Sequence, residues 1–379
     1  MRDLRERHQG RGLRAASLAC CALGGLVSPP GAWAPRGSGE ELRFAAREGT
    51  VLIKTLSSGH ELAIDELSLA RDDGPPVRDE AGGWVSSWHK VSARDEYVRV
   101  EPGRPLVLER TWLDVAAGGQ IDVARVGSSP NREKSVSASP LQGRSVVLTW
   151  VESEREWSRA WKAIDAEEEW LAGIRGDMDM LALLPPRAVR EGESWEIPAA
   201  ALRDVLAPGG DLTLAPRGSG PFGRTMELGA GGDLADVLGE TIEGSARATF
   251  AGVREADGVR LGVIALELEV ASERDRSEAY LEAMPAAERS EPSELVSASV
   301  RYRLQGRGEL LWDLDAAHLR SFTLSGPETV ELSVEKRWTR VPEPFRVRQT
   351  TRFSGTYQME LTALPPEPDP PEPPAAKEH

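Results

Sequence analysis

Apolar and polar residues alternate along much of the chain, with the period of two that is typical of a β-strand with one buried face. The alternation is clearest in three C-terminal stretches, Val296–Leu304, Val330–Trp338 and Val347–Leu361. Val259–Val270 differs, because its apolar residues change from one face to the other part of the way along, and this predicts a central strand. A hairpin partner is predicted over Ala246–Val253.

Turn residues separate the predicted strands. Asp257-Gly258 supplies the positive backbone angles of a tight hairpin. Glu101-Pro102-Gly103-Arg104 suits a type II turn, because Pro fixes the first central angle and Gly tolerates the second. Ser57-Ser58-Gly59 is predicted to be a third turn. The strands of the first half are then Val51–Leu56, Leu62–Leu69, Tyr97–Val100, Leu106–Trp112 and Val146–Val151.

One stretch between the halves has helical periodicity. Its apolar residues are Trp157, Trp161, Ile164, Leu171 and Ile174, and their spacing predicts an amphipathic helix over Glu154–Ile174. The predicted fold class is therefore mainly β, with long antiparallel strands in two meander-type halves, either an open half-barrel or a sandwich, and one amphipathic helix between them.

The ends of the chain differ in composition from the rest. Residues 1–34 are predicted to be a secretory signal peptide, 35–152 an N-terminal antiparallel β unit, 153–200 a helix and linker, 201–364 a C-terminal antiparallel β unit, and 365–379 a disordered proline-rich tail. Whether the halves are one domain or two stays open.

The signal prediction rests on arginines before residue 15, on the apolar run Ala15–Val27 and on the small residues that follow. The run is too short to span a bilayer. Ala32 and Ala34 are alternative cleavage sites, and lipidation at Cys20 or Cys21 is the minority alternative. Both cysteines lie within the leader, so the predicted mature chain has no thiol, no disulfide and no transmembrane anchor. It is expected in the periplasm, at the outer membrane or outside the cell.

The chain carries a formal charge of −15 and repels polyphosphate, which argues against a nucleic-acid partner. Arginine greatly outnumbers lysine along the whole chain, as expected of a general composition bias. No nucleophile elbow, phosphate-binding loop or dinucleotide motif is present, and the glycines at 229–232 are read as a flexible loop.

Histidines are the first candidates for chemistry. His60, His89 and His318 lie near predicted turns and are read as surface residues, and His379 lies in the tail. No pair has the spacing of a helical zinc site.

Carboxylates are more numerous. Asp165, Glu167, Glu168 and Glu169 are predicted to form the solvated edge of the helix, with a calcium site as the alternative. Asp177 and Asp179 flank Met178 in a predicted loop, where the alternative to a plain loop is a shared ion. We therefore assign no catalytic, cofactor-binding or metal residue and no cofactor from the sequence.

Tryptophan is unusually frequent, with 11 residues. Trp84 and Trp88 have two interpretations: they line a groove for a sugar or lipid, or they fill the core of a protein without disulfides.

Two phrases carry a resemblance. Leu184–Trp195, and Gly308–Asp313 continuing to Leu324–Gly326, are similar to phrases of uncharacterised exported β-rich bacterial proteins. The resemblance implies an envelope or extracellular location without an assigned activity.

Three functions are compatible with this pattern. The first is a non-catalytic envelope binding, carrier or assembly protein, whose partner is an apolar small molecule, a lipid or an envelope protein. The alternatives are an extracellular hydrolase whose site is assembled only in the fold, and a surface or matrix structural component. Enzymatic activity stays open, and the first function is preferred because catalytic signatures are missing.

Overall fold

The computed structural model describes residues 39–79, 81–125, 131–163, 166–212, 234–239, 241–283, 293–339 and 342–367. Most of these residues lie in long strands. The strands are β1 (Val51–Arg71), β2 (Val77–Asp79), β3 (Ala81–Glu101), β4 (Arg104–Arg125), β5 (Asn131–Ala138), β6 (Ser145–Val151), β7 (Glu156–Trp161), β8 (Ser194–Ile197), β9 (Ile242–Ala256), β10 (Val259–Asp275), β11 (Ser293–Asp313), β12 (His318–Trp338) and β13 (Phe345–Leu364).

Helical segments are short. They are α1 (Leu202–Leu206), α2 (Leu234–Val237), α3 (Ser277–Ala283) and the 3-10 turns Glu168–Leu171, Leu181–Leu183 and Ala199–Ala201. Across the described ranges, no helix has the length and apolar character needed to cross a bilayer.

All of the strands belong to one antiparallel sheet. Its order is β7-β6-β4-β3-β1-β13-β12-β11-β10-β9-β8, with β2 added to β1 and β5 added to β4. Because β7 and β8 stand at the two ends of this order, the described sheet is open. The predicted fold class, mainly β with long antiparallel strands in an open half-barrel, is confirmed.

The two meander halves meet through the first and last long strands. β1 pairs with β13 from Ile53 opposite Leu364 to Arg71 opposite Val347, with one bulge near Asp65. The N-terminal and C-terminal strands therefore share a continuous hydrogen-bonded sheet.

One face of the sheet, here called the inner face, is covered by residues 166–193, 198–212 and 234–239, here called the covering segment. Several hydrogen bonds fasten that segment to the sheet. The Tyr97 hydroxyl donates to Asp179 over 2.6 Å, the Ser139 hydroxyl donates to the Leu212 carbonyl over 2.5 Å, and the Gly239 N–H donates to the Ser272 hydroxyl over 2.7 Å. Fully buried side chains such as Trp112 fill the space between the two layers.

The other face, here called the outer face, carries paired charges that face water. Five charged residues form a row across neighbouring strands, each paired with the next. In order they are Glu273 on β10, Arg301 on β11, Glu331 on β12, Arg352 on β13 and Glu66 on β1. Ion pairs join Arg301 to Glu273 at 3.1 Å and to Glu331 at 3.4 Å, and Arg352 to Glu331 at 2.7 Å. We call this row the charge ladder. Its alternating signs favour the observed strand register.

Two turns are confirmed. Asp257 and Gly258 have φ angles of 52° and 75° between β9 and β10, as a type I′ hairpin turn requires. Gly103 has a φ of 106° between β3 and β4, which glycine adopts without strain.

The turn predicted at Ser57-Ser58-Gly59 is wrong, because β1 runs through it without interruption. Gly59 serves close packing instead: a side chain there would place its Cβ 2.7 Å from the carbonyl oxygen of Ser87 on β3. A glycine needed for close approach between strands has the same sequence signature as a turn glycine.

The helix predicted over Glu154–Ile174 is also wrong in its position. The chain forms β7 at Glu156–Trp161 and a 3-10 turn at Glu168–Leu171, and a short α-helix between the strands is found later, at Leu202–Leu206. Trp157 and Trp161 are four residues apart, a spacing that shares one face in a strand as well as in a helix. Val259–Val270 does lie inside the sheet, between β9 and β11.

Several predictions lie outside the described residues. They are the signal peptide at 1–34 with Cys20, Cys21, Ala32 and Ala34, the residues Ile164 and Asp165, the glycines at 229–232, and the tail from 368 to 379 with His379.

A candidate functional site: a cleft beside a buried charge cluster

Four charged side chains and a tyrosine meet beneath the covering segment. The Lys54 Nζ atom lies 2.7 Å from Asp95 and 2.9 Å from Asp179. Arg110 donates two hydrogen bonds of 2.7 Å to Asp95. Tyr97 completes the group through its bond to Asp179. These five residues are here called the charge cluster, and each is buried.

The strand pattern places the cluster. Lys54, Asp95 and Arg110 each occupy an inward position of a strand whose neighbouring inward positions are apolar, on β1, β3 and β4. Asp95 lies directly opposite Arg110 in the sheet, while Asp179 comes from a loop of the covering segment. Arg110 also donates to the carbonyls of Arg175 and Gly176, both at 3.1 Å. The cluster therefore locks this loop onto the sheet.

The charges of the cluster balance. Burial raises the pKa of Asp95, but Arg110 and Lys54 outweigh it and hold that pKa at about 2. For the Arg110 guanidinium, Asp95 outweighs burial and raises the pKa above its ordinary value. Burial and the neighbouring Asp179 raise the pKa of Tyr97, so its hydroxyl stays protonated. Two cations face two carboxylates, which keeps the buried group neutral overall.

Asp177 lies next to the cluster and is partly exposed. Its carboxylate accepts the N–H of Asp179 at 2.7 Å and the N–H of Leu181 at 3.1 Å. Burial, Asp179 and Asp204 raise the pKa of Asp177 to about 7, against the opposing effect of the backbone bond and of Lys54. A carboxyl group at this position changes charge near neutral pH.

A cleft of about 630 Å³ opens above Asp177. This volume is in the usual range for small-molecule sites. Two half-buried indoles, Trp150 and Trp157, pack edge to face at 5.6 Å and line the cleft. Its apolar lining also includes Leu181, Ala182, Pro198, Ala200 and Ala201.

Four arginines line the same cleft and differ in their partners. Arg175 pairs with Asp204 at 2.9 Å, and Arg159 pairs with Glu156 at 3.3 Å. Arg104 stacks over the Trp150 ring at 4.3 Å, with Glu101 at 3.9 Å. Within the described ranges, Arg155 has no ion-pair partner, and it is exposed. Carboxylates of Glu156, Asp177, Asp179 and Asp204 line the cleft as well, so Arg155 is the arginine of the described lining whose charge is left for a ligand.

The histidines are not at the surface, so that prediction is wrong. His60, His89 and His318 are buried, with 4%, 6% and 6% of their surface exposed. His60 Nδ1 lies 2.9 Å from the Glu328 carboxylate, 268 residues away in sequence, and its ring lies 5.0 Å from that of Tyr357. His318 Nδ1 contacts the Leu319 carbonyl at 2.7 Å. These histidines occupy inward or turn-flanking positions with little exposed surface.

The carboxylates singled out in the sequence lie in two places in the structure. Glu167, Glu168 and Glu169 are exposed, as predicted, although they lie at a 3-10 turn. Asp177 and Asp179 lie in a loop, where the Asp177 carboxylate accepts backbone N–H groups and the Asp179 carboxylate accepts the Tyr97 hydroxyl. The described residues contain no group of three potential metal ligands.

Trp84 and Trp88 are 41% and 44% exposed on β3, which excludes the core interpretation for both. The groove interpretation of the sequence requires such exposure.

The sequence prediction missed the charge cluster. The available signal was a charge in phase with apolar neighbours, as in Leu52-Ile53-Lys54-Thr55-Leu56, because a strand that alternates places such a charge inside. The cleft itself had no local signal, since its lining comes from segments that are distant in sequence.

Comparison with known proteins returns no matching family model and no matching curated protein. An outer membrane channel from Pseudomonas putida F1 is 8% identical, covers 84% of this chain and 97% of its own, and has a TM-score of 0.21. The InvG secretin β-barrel of the Salmonella SPI-1 injectisome is 8% identical over 85% of this chain and 65% of its own, with a TM-score of 0.16. The outer membrane protease OmpT from Escherichia coli is 8% identical, covers 85% of this chain and 99% of its own, and has a TM-score of 0.13.

Proposed function

We propose that this protein is an exported, non-catalytic binding protein that carries an amphipathic small molecule in the cleft above Asp177. Export is supported by the leader pattern in the sequence. The observation that carries the proposal is the combination in one cleft of apolar walls, two indoles and an arginine rim. The compartment, in the periplasm, at the outer membrane or outside the cell, is part of the proposal.

The chemistry of the lining defines the ligand class. Apolar walls and indole rings favour an apolar body, since burying such surface contributes about 25 cal/mol per Å². Arg155 and Arg104 offer charge-assisted hydrogen bonds to a carboxylate or another anionic head group. Below about pH 7, Asp177 is mostly protonated and adds no opposing charge. A fatty acid or a similar lipid acid has both features.

Displacement of a fluorescent fatty acid tests this proposal. The purified protein should bind dansylaminoundecanoic acid, and palmitate should displace it. Arg155→Gln should weaken binding about tenfold or more, because a lost hydrogen bond to a charged group costs ~1.5–3 kcal/mol. Arg254→Gln is the matched control, since Arg254 pairs with Glu309 on the outer face. No saturable binding, or equal losses in both variants, would refute the proposal.

A hydrolase is the second candidate, and one observation favours it. Asp177 has a pKa of about 7 in an open cleft, which is the range in which a carboxyl group acts as a general acid or base. Screening ester, amide and glycoside substrates with wild type and Asp177→Asn tests this candidate. Turnover that falls about 100-fold or more in the variant supports it, because general acid–base groups contribute on that order. Turnover that the variant retains removes it.

A further inference from the structure

A second groove lies on the outer face, remote from the cleft in the order of the sheet. Its volume is about 600 Å³, and its lining comes from β1, β3, β12 and β13. The exposed indole of Trp88 stands at one side. The strands β6 and β7, which carry Trp150 and Trp157 of the cleft, lie two or more strands away from β3 at the end of the sheet. The adjacent strand β4 lines the cleft only at its first residues, next to the turn after Glu101, whereas Trp88 lies far from that turn along β3. The groove is therefore a separate site.

The neighbours of Trp88 leave its indole without side-chain cover. Gly59 on β1 and Gly118 on β4 lie directly opposite Trp88 on either side. Residues that lie opposite one another across strands share a face of the sheet, so both positions next to the ring lack a side chain. An exposed ring between two glycines is a platform on which another ring can lie flat. Apolar C–H groups of a sugar ring meet the negative face of an indole favourably.

Hydrogen-bonding side chains surround this platform. Five polar residues on the outer face of the sheet line the groove: Ser57, Glu61, Thr356, Gln358 and Glu360. Among the described residues, none of these side chains makes a hydrogen bond or an ion pair. They offer hydroxyl, amide and carboxylate groups to a polyhydroxylated ligand.

The charge of the groove selects among polyhydroxylated ligands. Glu61 and Glu360 supply carboxylates, whereas the charge ladder and its arginines lie elsewhere on the outer face. Two carboxylates repel an anionic polysaccharide and accept hydrogen bonds from sugar hydroxyls. The groove chemistry therefore matches an uncharged glycan.

A second exposed indole extends the platform. Trp84 is on the same face of β3, four residues before Trp88, and the strand rise separates the two by about 13 Å. Two platforms at this distance fit an oligosaccharide better than a single sugar.

We propose that the groove beside Trp88 binds uncharged oligosaccharide chains, independently of the ligand in the cleft. Trp88 stacks on one sugar, the polar side chains of β1 and β13 bind its hydroxyls, and Trp84 contacts a sugar further along the chain.

Isothermal titration of the full chain with cellohexaose, chitohexaose, maltohexaose and laminarihexaose tests the proposal. At least one hexaose should bind, and Trp88→Ala should weaken binding about tenfold or more, a loss on the order of that found when a base loses its aromatic stacking partner. Trp84→Ala should weaken binding of the hexaose but leave binding of the matching disaccharide unchanged. Both side chains are exposed, so circular dichroism should show the variants folded.

Two control variants separate this site from others. Val253→Ala removes an equally exposed apolar side chain, 45% exposed on β9, and should leave binding unchanged. Trp150→Ala alters the cleft and should also leave glycan binding unchanged, so the failure of one site is distinguishable from the failure of the other. No binding to any hexaose, or unchanged binding in Trp88→Ala, overturns the proposal. Stronger Trp88-dependent binding to dextran sulfate or to phosphatidylcholine vesicles overturns it as well.

Discussion

Lys54 is the residue whose charge balances the buried charge cluster. Its ammonium group is completely buried and lies within ion-pair distance of both carboxylates of the charge cluster. Buried charges tolerate desolvation only when they are paired. Removing Lys54 leaves Arg110 as the one cation facing Asp95 and Asp179. The cluster is then unbalanced at the point where the covering segment meets the sheet.

Lys54→Met should lower the free energy of unfolding by about 3–5 kcal/mol, the cost of leaving a buried charge uncompensated. Urea denaturation followed by tryptophan fluorescence measures it. The control is Arg254→Met, which breaks an exposed outer-face pair and should cost less than about 1 kcal/mol. Similar losses in the two variants would show that the cluster is not buried as described.

Asp177 should make stability fall with rising pH. Its pKa is about 7 in the folded protein and 3.8 in the reference state, so the unfolded chain ionises first as the pH rises. The folded state therefore loses stability between about pH 4 and pH 7. Asp177→Asn should remove this loss. Above pH 7, the free energy of unfolding of the variant should exceed that of the wild type by on the order of 3 kcal/mol.

Denaturant titrations at about pH 5 and pH 8 check this prediction. Asp204→Asn is the control. It removes only one of the causes that raise the Asp177 pKa, so the pH dependence of its stability should differ less from that of the wild type. A stability difference between Asp177→Asn and wild type that does not grow with pH would contradict the raised pKa.

At the scale of elements, local chemistry predicted the strands and two of their turns. Asp257-Gly258 and Pro102-Gly103 have the residues that their backbone angles require, so those positions are readable from sequence. Gly59 and the Trp157–Trp161 pair were misread because their signals are shared by two structures. A glycine serves a turn or a close approach, and a spacing of four fits a strand or a helix.

The charge ladder ties neighbouring strands together by side chains on the outer face. Each Arg or Glu lies opposite the other sign on the next strand. Sequence alone did not predict it, because the ladder needs the register of five strands at once. The arginine excess, which we read as a composition bias, supplies part of this row.

Glu331→Lys should place three cations in a row with Arg301 and Arg352. We expect the free energy of unfolding to fall by about 1–2 kcal/mol, because two attractions become repulsions. The loss should shrink in high salt, since exposed charges are screened. Glu360→Lys is the matched control: Glu360 is exposed on β13 opposite Thr323 and Ser57, and should change stability little. Equal losses in both variants would remove the ladder as a stabilising element.

At the scale of the molecule, one sheet unites segments from both ends of the chain. β1 and β13 are nearly 300 residues apart in sequence, and their pairing has no local signature. The cleft needs a different set of contacts between segments, since β4 and β6, the loop at Asp177 and the residues around Pro198 all contribute to it. The strand pattern therefore predicted the architecture but not the site.

Mass spectrometry of organic extracts shows whether the cleft holds a ligand, with protein purified from its own host under native conditions. We expect one amphipathic acid, near one molecule per chain, in wild type and in Arg254→Gln, and its loss from a Trp150→Ala, Arg155→Gln double variant. Wild type that carries no such molecule, or a double variant that carries it equally, would contradict a ligand held in the cleft.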